Sequence, residues 1–97
     1  MNIPSRQQFE QHQQDEFVIQ FNAMANGSCR IQEITVSNGT PNALGEKQFS
    51  VVFSHPEPVV YEQGVYPVRH KQLGDFDLFL VPIFGDDNQV HYEAVFS

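Results

Sequence analysis

Residues 72–87 read QLGDFDLFLVPIFGDD, and deciding which of their side chains point inward decides the fold. A strand buried on one side alternates apolar with polar residues. Here, apart from Asp77, every position from Phe76 to Ile83 is apolar. Leu73-Gly74 before the run and Gly85-Asp86-Asp87-Asn88 after it are turn signals, so the run reads as a strand between two antiparallel neighbours. Those neighbours are Val65 to His70 and the stretch QVHYEAVF, Gln89 to Phe96.

Facing residues of an antiparallel pair share a face, so the number of residues in each turn fixes which side chains meet. Even turns at both ends put Phe79, Val81 and Ile83 with Val90, Tyr92, Ala94 and Phe96, and bring in Tyr66 and Val68. These nine residues form the predicted core, and His91 and Glu93 fall outside it. Phe76, Leu78 and Leu80 are then left on the opposite face, beside Arg69, Lys71, His91, Glu93 and Val95. Burying three such side chains is worth roughly 1.5–3 kcal/mol each, so some cover for them is expected. Closure by the earlier strands, the N-terminal helix, a second copy or another partner are the candidates. The candidate interface is therefore Phe76, Leu78, Leu80 and Val95, with Arg69 and Lys71 at its margin. Pro82 cannot donate to a ladder, which places it on an edge, at a bulge or where the strand leaves its sheet.

Working back toward the N-terminus, QFSVVFSH (Gln48 to His55) alternates with Phe49, Val51 and Phe53 inward. Phe17, Ile19 and Phe21 mark another strand, and Asn26-Gly27 after it is a hairpin signal. In the strand from Cys29 to Ser37, Ile31 and Ile34 share a face only if a bulge lies near Gln32-Glu33. SNGTPNALGE (Ser37 to Glu46) reads as a loop, and Val59 to Tyr61 as a short extended piece. Ser5 with Gln8 forms a capping box for a short helix over residues 5–13, to which Phe9 supplies the one large apolar side chain. That helix reads as a lid at most. Six strands with short connections predict one all-β domain over residues 1–97, a six-stranded antiparallel barrel or sandwich.

Composition narrows the function classes. The chain has 97 residues and a formal charge of −7, and its 40% hydrophobic content with nine Phe excludes a disordered tail. Its acidity argues against nucleic acid and anionic membrane surfaces as partners. No stretch approaches the length of a membrane span and the first residues lack the apolar core of a signal peptide, so a cytoplasmic location is expected. Cys29 is the single cysteine, leaving no intrachain disulfide and no cysteine-based zinc site. It reads as a small buried side chain.

The histidines are the remaining source of chemistry. His55 with Glu57, and His91 with Glu93, each place an imidazole and a carboxylate on one side of an extended chain, and two such pairs would have to converge to hold a metal. His70 lies across the Leu73-Gly74 turn from Asp75 or Asp77, either as a dyad or as a hydrogen bond that pins hairpin register. The polar cluster to test is thus His70, Asp75, Asp77, His91 and Glu93. No nucleophile motif, phosphate loop or calcium loop accompanies it, so the expectation is no enzyme, no cofactor and no metal.

GEKQFSVVF, QGVYPVRHKQLGDFDLFLVPI and YEAVF together resemble an uncharacterised family of short bacterial all-β domains of unknown function, over roughly residues 45–97. The resemblance implies a stand-alone bacterial domain with an accessory or assembly role, in association with phage-tail-like or collar-type gene products. It implies no catalytic residue. The function expected is a non-enzymatic interaction or assembly module, docking a protein partner or forming a homo-oligomer, most simply a dimer. The alternative is a small metal-dependent or His/carboxylate enzyme.

Overall fold

The strand and turn signals resolve into a closed barrel in a computed structural model, which describes residues 3–39, 45 and 47–96. Among the described residues the elements are α1 (Arg6–Gln11), β1 (Phe17–Asn22), β2 (Ala25–Val36), β3 (Phe49–His55), β4 (Gly64–His70), β5 (Gly74–Gly85) and β6 (Val90–Phe96). Every paired neighbour is antiparallel, in the order β1-β2-β3-β6-β5-β4, and β4 returns to β1 to complete the ring. The ring excludes the sandwich. Most of the predicted loop from Ser37 to Glu46 lies outside the described residues. No described helix is long and apolar enough to cross a membrane.

Two long strands make the closure possible. β2 and β5 have 12 residues each, and each changes partner midway. β2 pairs with β1 through Ala25–Cys29 and with β3 through Arg30–Val36. β5 pairs with β4 through Gly74–Leu80 and with β6 through Val81–Gly85. Each carries a bulge just past its change of partner, between Ile31 and Glu33 in β2 and between Pro82 and Phe84 in β5. A bulge bends a strand and sharpens its twist, as a narrow barrel demands. The bulge expected near Gln32-Glu33 is present, and Ile31 and Ile34 both pack on the core.

The second bulge reverses the predicted faces of β5. Gly85 pairs with Val90, so the last turn holds four residues and is even, as expected. Ile83 is then the extra residue, and beyond it Pro82 faces Tyr92 and Val81 faces Glu93. The turn before β5 is odd, with Lys71 to Leu73 between the partners His70 and Gly74, and Gly74 at φ +84°. Val68 consequently meets Phe76, and Tyr66 meets Leu78. Phe76, Leu78 and Leu80 are therefore core, while Phe79 and Ile83 are about half exposed and Val81 is half-buried. The predicted assignment is inverted for β5 and correct for Val68, Val90, Tyr92 and Ala94, all buried.

Two further expectations change. The β1–β2 turn is at Ala23-Met24, since Asn22 pairs with Ala25, and Asn26-Gly27 lies within β2. Glycine is needed there for space: a Cβ on Gly27 would sit 2.3 Å from His55 Nε2. The helix is also more than a lid. Its capping box forms as expected, with Ser5 N donating to Gln8 Oε1 at 2.9 Å and Gln8 N to Ser5 Oγ at 3.2 Å. Phe9 is fully buried, with ring centroids 6.2 Å from Phe17, 6.4 Å from Phe53, 6.1 Å from Phe76 and 5.5 Å from Phe96. It plugs one end of the barrel. At the other end Tyr61 stacks on Phe21 at 4.3 Å, and the buried Tyr92 hydroxyl accepts from Tyr61 N and donates to Val59 O.

The inverted faces give opposite costs to neighbouring truncations. Leu80→Ala should destabilise by about 2–5 kcal/mol, as a core deletion. Ile83→Ala, on the outside, should cost less than about 1 kcal/mol. Chemical denaturation of the two variants checks this, and comparable losses would be incompatible with the bulged register.

Candidate functional site

Two regions outside the core gather the residues that the sequence singled out. The first is the outer face of β4, β5 and β6. Val65 faces Phe79 across the β4–β5 ladder, and the β5–β6 register, continued from Val81 opposite Glu93, runs toward Val95. Val65, Phe79, Ile83, Phe84 and Val95 are 65%, 53%, 50%, 51% and 62% exposed. Of the candidate interface, Val95, Arg69 and Lys71 are outside as expected. Phe76, Leu78 and Leu80 are the barrel's own interior, so no partner is needed to cover them. The greasy outer stripe exists, but on the other set of β5 residues. A shallow groove of about 190 Å³ runs beside Val95, lined also by Glu93, Ser50, Phe49 and Thr35.

The second region is at the plugged end, where β1 and β4 close the ring over only two register pairs, Val18 with Arg69 and Ile19 with Val68. An open cleft of about 690 Å³ lies along this seam, lined by Asp15, Glu16, Val18, Arg69, His70, Lys71 and Gln72. Asp15 sits in the turn between α1 and β1 and bridges two histidines through one oxygen. His12 Nδ1 is 2.7 Å and His70 Nε2 2.9 Å from Asp15 Oδ2. The His12 and His70 rings are 4.7 Å apart, and the His70 ring lies 4.7 Å from Phe17. His70 thus pairs with a residue 55 positions away rather than with Asp75 or Asp77, which point outward on β5. The i, i+3 spacing of His12 and Asp15 was the available sequence signal; its link to His70 depends on barrel closure.

Two imidazoles and a carboxylate with ligand atoms within 4.8 Å of one another have the composition of a metal site. The hydrogen bonds around His70 oppose that reading. Its Nδ1 accepts from the backbone N–H of Gln72 at 3.1 Å and of Leu73 at 3.0 Å. A nitrogen that accepts two bonds carries no proton, so the proton of the neutral ring is on Nε2 and is donated to Asp15. Nε2 then has no lone pair for a metal. A histidine ligand has the reverse arrangement, with its distal nitrogen donating. The cluster is a clamp that ties the α1–β1 turn to the β4–β5 turn. Hydrogen bonds from His12, then His70, hold the Asp15 carboxyl below its usual range.

The other histidines do not join it. His55 is buried among Phe21 and Tyr61, at the far end of β1 from Phe17, with Nε2 3.2 Å from Glu57 Oε2 and Nδ1 without a partner among the described residues. Burial lowers its pKa against the opposing pull of Glu57. His91 lies on the outer face, against Phe84 at 5.1 Å, and Glu93 faces Val81 and Val52. His55, His70 and His91 do not converge. Cys29 is buried, as predicted, and burial pushes its thiol up to about 12, which makes it a poor nucleophile.

The clamp has a defined pH signature. A carboxyl whose folded pKa is lowered contributes stability that is present above its unfolded pKa and lost as pH falls through the folded value. The stability gap between the wild type and Asp15→Asn should therefore be full near neutrality and close on acidification below the ordinary carboxylate range. Thermal melts across pH check this; a gap that persists in strong acid would detach Asp15 from the clamp. Titration calorimetry with Zn²⁺ should give the same isotherm for the wild type and His70→Gln. A tight site that disappears in the variant would overturn the proton assignment.

No curated protein and no solved structure matches the chain. A family model matches residues 4–96, nearly the whole length, and the chain belongs to that family, a domain of unknown function designated DUF6916.

Proposed function

We propose that this protein is a non-enzymatic assembly module that docks protein through the outer face of β4, β5 and β6. One observation carries the reading: Val65, Phe79, Ile83, Phe84 and Val95 expose large apolar side chains on adjoining strands of a barrel whose interior is already filled. Contiguous apolar surface of this kind on a soluble domain is characteristic of an interaction site. The assembly role implied by the resemblance to short bacterial domains accords with this reading. The enzymatic alternative has the His12–Asp15–His70 clamp as its support, and the protonation of His70 counts against a metal there.

The test is photocrosslinking in the producing cell, with benzoylphenylalanine placed at position 79, at position 95 or at position 24. Met24 is almost fully exposed on the β1–β2 turn and serves as the control. Discrete adducts from positions 79 and 95, absent from position 24, are expected. Adducts of equal yield from all three positions, or none from the face, would end the docking reading.

A further inference from the structure

We propose that the segment from Pro56 to Gln63 is an acid-released strap, which covers one end of the barrel and is lifted off by a second proton on the buried His55 ring. The segment joins β3 to β4 and crosses the end opposite Phe9. Every residue in it except Tyr61 is exposed, so few contacts hold it. Tyr61 stacks on Phe21, and its N–H donates to the Tyr92 hydroxyl at 3.0 Å. That hydroxyl in turn donates to Val59 O at 3.3 Å. Near the start of the strap Glu57 reaches back to His55, with Oε2 3.2 Å from Nε2. At its far end the Tyr66 hydroxyl donates to Glu62 O.

His55 lies at the end of β3 and is only 2% exposed. An ionised Glu57 carboxylate can only accept, so the neutral ring carries its proton on Nε2. Nδ1 is buried and has no hydrogen-bond partner among the described residues. A second proton therefore lands on a nitrogen without an acceptor, and a buried charged donor left unpaired is costly. The ring cannot relieve this by moving toward β2. A Cβ on Gly27 would lie 2.3 Å from Nε2 and 2.5 Å from Cδ2, so that edge already sits against the β2 backbone. Phe21 of β1 has its ring centroid 5.0 Å away, and Tyr61 of the strap 6.3 Å. Glu57 is the charged group that faces the ring, and Tyr61 is a further titratable one. Phe21, Gly27 and Val90, its ladder partner on β6, carry no charge. The exposed Glu57 offsets only part of the effect of burial, which lowers the pKa of His55 from its ordinary 6.5. With the strap open the ring regains water and that ordinary range. The open state thus binds the proton more readily. Closure is stabilised above the ordinary histidine range and loses that stability as pH falls below it toward the lowered value. The strand ladders do not depend on the strap, so the opening is local.

Amide hydrogen exchange read by NMR, with rates corrected for their intrinsic pH dependence, tests this. Between about pH 7.5 and about pH 5 the Tyr61 amide should lose at least about tenfold in protection, while the Val51 and Phe53 amides in the middle of β3 keep theirs. The carbon-bound ring protons of His55 should titrate over the same interval. His55→Gln, which keeps a polar side chain without the second proton, should hold the Tyr61 protection constant. Glu57→Gln leaves the charged ring without its counter-charge, and should enlarge the loss on acidification; it decides the matter if His55→Gln does not fold. Asp15→Asn, whose clamp lies at the opposite end, should leave the loss as in the wild type. Equal Tyr61 protection at both pH values, a loss shared equally by Val51 and Phe53, or a loss that persists in His55→Gln would each overturn the inference. So would a Glu57→Gln variant whose loss is no larger than that of the wild type, or an Asp15→Asn variant that has none.

Discussion

The single extra residue at Ile83 is the constraint on which the rest of this structure depends. The turn before β5 is odd and the turn after it is even, as the pairs His70 with Gly74 and Gly85 with Val90 show. Run through β5 without interruption, those two parities would place Tyr66 and Val68 on one face and Val90, Tyr92 and Ala94 on the other. No common core would form. One inserted residue repairs the conflict, and it follows Pro82, which has no N–H with which to continue the ladder. The bulge brings both neighbours' apolar sets onto Phe76, Leu78 and Leu80, and it turns Phe79 and Ile83 to the outside.

What was legible in the sequence follows from this. Strand number, most of the strand positions, the Ser5–Gln8 capping box and the β2 bulge could all be read from spacing, because period two and local hydrogen bonding are local properties. The β5 faces could not be read, although Pro82 marked the place where regular pairing failed. Parity accumulates along a strand, so an unseen insertion of one residue inverts everything beyond it. Asn26-Gly27 misled for a related reason. That pair favours a tight turn, yet here Gly27 answers to the His55 ring, a contact from a strand far away in sequence.

The site residues divided along the same line. His70 was rightly suspected, but its partner came from the α1–β1 turn rather than from the adjacent hairpin strand. Contacts of that kind arise when β4 meets β1, the join between early and late segments of the chain. Phe9 illustrates the same point in packing. One aromatic residue on a six-residue helix is weak evidence of a core contribution, and such a helix is marginal in isolation. Its burial among Phe17, Phe53, Phe76 and Phe96 exists only once strands from both halves of the chain surround it. Docking and helix formation therefore stabilise each other.

The clamp and the outer face meet at the β4–β5 turn, and this links the two regions physically. On the inner side, His70 Nδ1 accepts the N–H groups of Gln72 and Leu73, while its Nε2–H is held by Asp15. On the outer side, Lys71 of the same turn and Arg69 near the end of β4 are exposed. A turn of three residues whose two amides are fixed by one buried ring has little freedom to reorient its flanking side chains. His70 thus sets the backbone from which Arg69 and Lys71 project, beside Asp75 of the facing strand. Neutral histidine in one protonation state satisfies all three contacts at once, with one acceptor nitrogen and one donor. Asparagine, which also combines an acceptor with a donor, is too short to span from the two amides to Asp15, and glutamine lacks the ring that packs against Phe17. Hydrogen-bond polarity, reach and packing against Phe17 together account for a histidine at position 70.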